Sequence, residues 1–101
     1  MLLDTIFALA SAPGKAGISV IRISGPAAIS VVEKITKSEL KGPTPKLRVI
    51  YDVNGSFVDQ ALILIFQAPN SFTGENVAEL HVHGSSAVVS STIDLLNNFK
   101  G

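Results

Sequence analysis

The stretch Val77 to His83, V-A-E-L-H-V-H, restricts this chain more than any other. It reads as a β-strand, and alternate side chains of a strand face opposite ways. Ala78, Leu80 and Val82 then line one face, fit for a core. Val77, Glu79, His81 and His83 line the other. Any fold must therefore bury one side of this strand while the other presents a carboxylate and two imidazoles at two-residue spacing. The strand ends at Gly84, where a helix begins. Ahead of it, Pro69, Asn70, Ser71, Thr73, Gly74 and Asn76 make a turn-rich loop.

Composition limits what can surround that strand. The 101 residues suffice for one domain with one core. Hydrophobic residues make up 47% and charged residues 16%, which excludes disorder. Lys+Arg and Asp+Glu number 8 each, so no net basic field draws the chain to nucleic acid or a membrane. No apolar run reaches spanning length. Met1-Leu2-Leu3-Asp4 lacks the charged start and long apolar region of a signal peptide. The absence of cysteine rules out disulfides, thiolate metal sites and thiol catalysis within this chain, and fits a reducing cytoplasm.

Taken in order, Thr5 to Ser11 is a short apolar strand. Ala12 to Gly17 is a loop with two glycines free to take positive φ. Its Gly14-Lys15 is followed by Ala16, so the phosphate-binding spacing G-x-x-x-x-G-K-[ST] fails. Ile18 to Ser24, I-S-V-I-R-I-S, is a strand apolar on both faces. Arg22 faces the same way as Ile18 and Val20 and needs a partner there. Ser24-Gly25-Pro26 starts a helix, with Ser24 or Gly25 as cap. Ala28, Ile29, Val32 and Ile35 recur at helical spacing, and the helix stops before Gly42-Pro43. Leu47 to Val53 and Phe57 to Gln67 form a hairpin around Asn54-Gly55. Ala61 to Phe66 is apolar on both faces and belongs inside the sheet. Ala87, Val88, Val89, Ile93, Leu95, Leu96 and Phe99 give a final amphipathic helix to about Asn98. The fold class expected is α/β in the α+β sense: a mixed sheet with two helices packed on it. Residues 1–101 form a single domain, expected to be a piece of a longer protein.

Several readings of the polar residues stand side by side. The H-x-H of His81 and His83, with Glu79, has the geometry of metal ligands, or is simply a hydrogen-bonded polar face. Arg22 and Glu79 either pair with each other or flank a cleft. In the cleft, Arg22 would hold an anion or a carbonyl, and Glu79 would accept two N–H donors from a planar heterocycle. Gly84-Ser85-Ser86 offers free amides to an anion, or is only a helix cap. Asn70, Ser71 and Thr73 are turn formers by default and a pocket rim by position.

Three segments together resemble one family. D-T-I-F-A-L-A-S-A-P-G-K-A-G-I-S-V-I-R-I-S-G (Asp4 to Gly25) looks like the amino terminus of the tRNA-modification GTPases of the MnmE, or TrmE, type. V-D-Q-A-L (Val58 to Leu62) fits the strand after its hairpin. P-N-S-F-T-G-E-N-V-A-E-L-H-V-H-G (Pro69 to Gly84) resembles its most recognisable motif. The resemblance covers nearly the whole chain in the right order.

It implies an amino-terminal domain that binds a tetrahydrofolate such as the 5-formyl form. The implied fold is similar to the folate domain of the glycine-cleavage aminomethyltransferase. It also implies a homodimer with the folate near its interface. The full family protein adds a helical domain and a GTPase domain that binds GTP with magnesium and potassium ions. With MnmG (GidA) it modifies carbon 5 of the wobble uridine of certain tRNAs, in the cytoplasm, with folate as the one-carbon source. Carried over residue by residue, the resemblance implies folate contacts at Arg22 and Glu79 alone; Asn70, Ser71, Thr73 and Gly84 stand as weaker binding candidates from their place in the loop and at the helix start. It implies no metal ligand and no catalytic residue in this chain, and it places a third folate contact, a lysine, beyond Gly101. Lys15-Ala16 stands where the family commonly has Arg-Gly, and Ser85 where a second glycine is usual. The GTPase motifs and the carboxy-terminal cysteine motif do not occur in these residues. The alternatives are a structural dimerisation module, an aminomethyltransferase-like folate enzyme, and a metal-binding module.

Overall fold

The computed structural model describes residues 5–10, 17–42, 44–68 and 74–99. Five strands and two helices follow in the order β1 (Ile6–Leu9), β2 (Ile18–Ser24), α1 (Ala28–Thr36), β3 (Lys46–Tyr51), β4 (Phe57–Phe66), β5 (Val77–His83) and α2 (Ser86–Asn97). The strands make one sheet, ordered β1-β2-β5-β4-β3. The strand anticipated from its alternating faces is thus the central one. The doubly apolar β4 is also flanked on both sides, as its composition requires.

The α+β class is as expected, but every strand pair is antiparallel rather than mixed. The reason lies after α1. Lys37 adopts a left-handed conformation (φ 53°), and its amide and the next bond back to the helix carbonyls. The chain then runs on to Lys46 and enters the far edge of the sheet against the direction a simple strand–helix–strand crossover would impose. The β3–β4 hairpin next brings β4 beside β5.

Both helices cover the same face. Ile21 and Ile23 of β2, Ala78, Leu80 and Val82 of β5, Ala61, Ile63 and Ile65 of β4 and Ile50 of β3 supply the floor of the core. Val31, Val32 and Ile35 of α1 and Leu95 and Leu96 of α2 close it. α1 rests on β3 and β5, and α2 on β4 and β5. Thr92 is buried inside this layer, with its hydroxyl donating to the Val88 carbonyl at 2.8 Å.

Two local expectations change. α1 is capped by neither Ser24 nor Gly25. Its N-cap is Ala27, which makes no side-chain cap bond, and the hydroxyl of Thr5 accepts from the Ala27 amide at 2.9 Å. A residue 22 positions away does the work of a local cap. The hairpin turn is also longer than the two residues Asn54-Gly55. Residues 53–55 cross between Asp52 and Ser56, whose backbones bond at 2.8 Å, with Gly55 left-handed at φ 81°. The Asp52 carboxylate holds this turn by accepting from the amides of Asn54 and Ser56, at 2.9 Å each.

Among the described residues no helix packs on the other face of the sheet. Ile6, Ile18, Leu47 and Leu62 lie on it, between 39% and 67% exposed.

Leu80 is fully buried at the centre of the core. Leu80→Ala should destabilise the domain by about 3 kcal/mol, from lost burial and the cavity left behind. Urea unfolding followed by circular dichroism will read this as a lower midpoint at an unchanged slope.

Candidate functional site

The uncovered face brings Arg22, Glu79 and His81 together on two neighbouring strands. β2 and β5 pair so that Arg22 stands opposite Glu79 and Val20 opposite His81. On the far side of β5, Leu64 stands opposite Glu79 and Leu62 opposite His81. The same register puts Ile21 opposite Leu80 on the helix side.

Arg22 and Glu79 form an ion pair. The Arg22 Nε donates to Glu79 Oε2 at 2.9 Å, and Nη2 donates to the same oxygen at 2.6 Å. Both guanidinium contacts thus fall on one oxygen. The other, Oε1, lies 3.1 Å from Nε2 of His81. Glu79 is only 7% exposed, with Arg22 opposite it on β2 and Leu64 opposite it on β4. Burial pushes its carboxyl upward, but the hydrogen bonds and charges of Arg22 and His81 outweigh it. The net shift is below the usual carboxylate value. The carboxylate is therefore ionised at neutral pH, with its charge matched on one side by Arg22.

The two histidines do not converge. His81 belongs to Glu79, and His83 to another acid, Asp59 of β4. The His83 amide donates to Asp59 Oδ2 at 2.8 Å, while its ring Nδ1 lies 2.7 Å from Oδ1. Asp59 is buried and the His83 ring largely exposed. Among the described residues no group of three metal-ligating side chains forms. The sequence reading passed over Asp59. Its signal was available: an acid inside the otherwise apolar strand Phe57 to Phe66 needs a buried donor.

The weaker candidates divide. Asn70, Ser71 and Thr73 lie outside the described residues. The Gly84 amide donates to the Gly17 carbonyl at 3.1 Å, tying the end of β5 to the start of β2. Ser85 is the N-cap of α2, its hydroxyl accepting from the Val88 amide at 3.2 Å. A separate groove of about 400 Å³ runs between the β3–β4 turn and α2, lined by Asp52, Phe57, Val58, Val88, Leu95 and Asn98. It holds none of the residues singled out above. The chemistry sits on the open sheet face instead.

These features define a small antiparallel α+β domain whose uncovered face centres on a buried, arginine-clamped carboxylate. Residues 5–100 match the family described as the GTP-binding protein TrmE N-terminus, and the chain belongs to that family. The tRNA modification GTPase MnmE of Roseobacter denitrificans is 54% identical over 96 residues, covering 95% of this chain and 22% of that protein. Its counterpart in Ruegeria sp. is 48% identical, covering 93% of this chain and 22% of the relative. That of Anaplasma phagocytophilum is 44% identical, covering 95% and 22%. The chain thus spans under a quarter of the length of these relatives and corresponds to their N-terminal domain.

Two predictions follow the acids. Because the folded carboxyl of Glu79 is depressed, its stabilising contribution is present above the unfolded value near 4.5. It is lost as pH falls through the lower folded value. Wild type should lose more stability than Glu79→Gln when urea unfolding at pH 6 is compared with pH 3.5. Asp59→Ala should cost about 1–3 kcal/mol, because it removes the buried acceptor and leaves the His83 amide without its partner. Hydrogen exchange at the His83 amide should rise sharply in that variant.

Proposed function

We propose that this chain is the folate-binding and dimerisation domain of a tRNA wobble-uridine modification GTPase. The observation that carries the reading is the Glu79 carboxylate: ionised, almost fully buried, and presented on the sheet face opposite α1 and α2. A carboxylate so placed suits the adjacent N–H donors of a pterin ring. Val20 and Leu64 supply apolar surface beside it for the flat ring. Arg22 provides a fixed cation for a polar edge or for the carboxylate tail of the folate.

The role is positional. Glu79 orients the ring, Arg22 neutralises negative charge, and the one-carbon group is turned toward a cleft that other domains complete. GTP with its magnesium and potassium ions, the tRNA and the MnmG partner belong, in this reading, to the rest of the protein. The relatives' shared name, tRNA modification GTPase, supports the GTP and tRNA parts of that assignment. The homodimer is supported by the exposed aliphatics on the open face, Ile6, Ile18, Leu47 and Leu62.

Calorimetric titration with 5-formyl-tetrahydrofolate tests the proposal. Saturable binding is expected, with Glu79→Ala weakening it at least about 100-fold, the scale of a lost charge-assisted hydrogen-bond pair. Sedimentation with and without folate reads the dimer. Glu79→Ala binding as well as wild type would sink the ligand assignment, and a strictly monomeric chain would sink the dimer.

A further inference from the structure

The groove between the β3–β4 turn and α2 takes no part in the reading above. Val58, Val88 and Leu95 give it an apolar lining. Val53 and Phe57, on the wall formed by the turn, are 68% and 65% exposed, which leaves two large apolar side chains in solvent beside it. At about 400 Å³ it suits an anchoring side chain of a partner better than a bulky cofactor.

Its charge is one-sided. Asp52 lines one wall and Asp94 the other, and among the described residues no lysine or arginine lines either. Asp52 spends one carboxylate oxygen, Oδ1, on the amides of its own turn. Among the described residues neither acid has a cation within ion-pair distance. Asp94 also lies in the last turn of α2, which holds no basic residue. The helix macrodipole is negative at that end, so an acid there works against the helix that carries it. A cation from outside the domain would relieve this conflict and satisfy both walls.

We propose that this groove docks an arginine-bearing apolar segment from the rest of the full-length protein. Arginine suits it better than lysine. A planar guanidinium can stack on an exposed ring such as Phe57 while its five N–H donors reach carboxylates on both walls. Apolar residues beside the arginine would cover Val53 and the lining below. Length assigns the occupant to the same protein. The chain spans 22% of its relatives, so more than three quarters of such a protein lies outside it. The open sheet face is given to ligand and dimer in the reading above, whereas the groove lies beside α2 on the helix side.

Hydrogen exchange read by mass spectrometry tests this, at residues 52–58 and 87–98, in the 101-residue chain and in the full-length protein that carries it. Both segments should exchange about tenfold more slowly in the full-length protein. Asp94→Lys in the full-length protein should return them to the rate of the 101-residue chain. In the 101-residue chain the same substitution should raise the urea midpoint, because it places a cation at the helix C-terminus. Equal exchange in the two proteins would overturn the proposal, and so would protection that Asp94→Lys leaves intact. Protection that appears in the 101-residue chain and grows with its concentration would overturn it in favour of a second copy. A lowered urea midpoint would overturn it too, since Asp94 would then serve the domain itself. Folate titration of Asp94→Lys should match wild type, so this proposal and the folate reading fail separately.

Discussion

The register of β2 on β5 carries the structure. It aligns Ile21 with Leu80 on the helix side and Arg22 with Glu79 on the open side. Because side chains alternate along a strand, a slip of one residue would reverse both sets at once. Arg22 would then enter the core and Ile21 and Ile23 would leave it. Burial of the aliphatics and pairing of the charges thus enforce the same alignment. Core and site are two readings of one ladder.

An ion pair in such a place is weak evidence for stability, because desolvation offsets much of its Coulomb gain. Its importance is geometric. Two donors on a single carboxylate oxygen fix the plane of Glu79 and leave the second oxygen to a lighter contact. A carboxylate held this way is pre-organised on a rigid strand rather than on a loop. That arrangement lowers the ordering cost of binding a flat, donor-rich ligand.

The two ends of the central strand are fastened by other means. At its exit, Asp59 holds the backbone and ring of His83, and the Gly84 amide reaches the Gly17 carbonyl. At its entry, the Gly25 amide donates to the Asn76 carbonyl at 2.9 Å. The Asn76 side chain in turn accepts from the Ala68 amide, also at 2.9 Å. These bonds anchor the segments on either side of β5 to its neighbours β2 and β4. The strand bearing Glu79 is thereby held along its whole length.

The chain's own order of residues determined the strands, the helices and which residues share a face, since those follow from local periodicity. Alternation alone placed Glu79 and His81 together and Leu80 opposite them, and the apolar run Ala61 to Phe66 declared an inner strand. The match of Arg22 to Glu79, open as one of two readings, was decided by tertiary structure, because the two lie 57 positions apart and only the β2–β5 register brings them together. The same holds for Thr5 serving the start of α1 and for Asp59 claiming His83. The strand directions were also settled there. Local pattern fixes an element but not the sense in which it enters a sheet, and the path after the left-handed Lys37 made this sheet wholly antiparallel. Periodicity acts over a few residues, whereas pairing and direction depend on what the folded chain brings near.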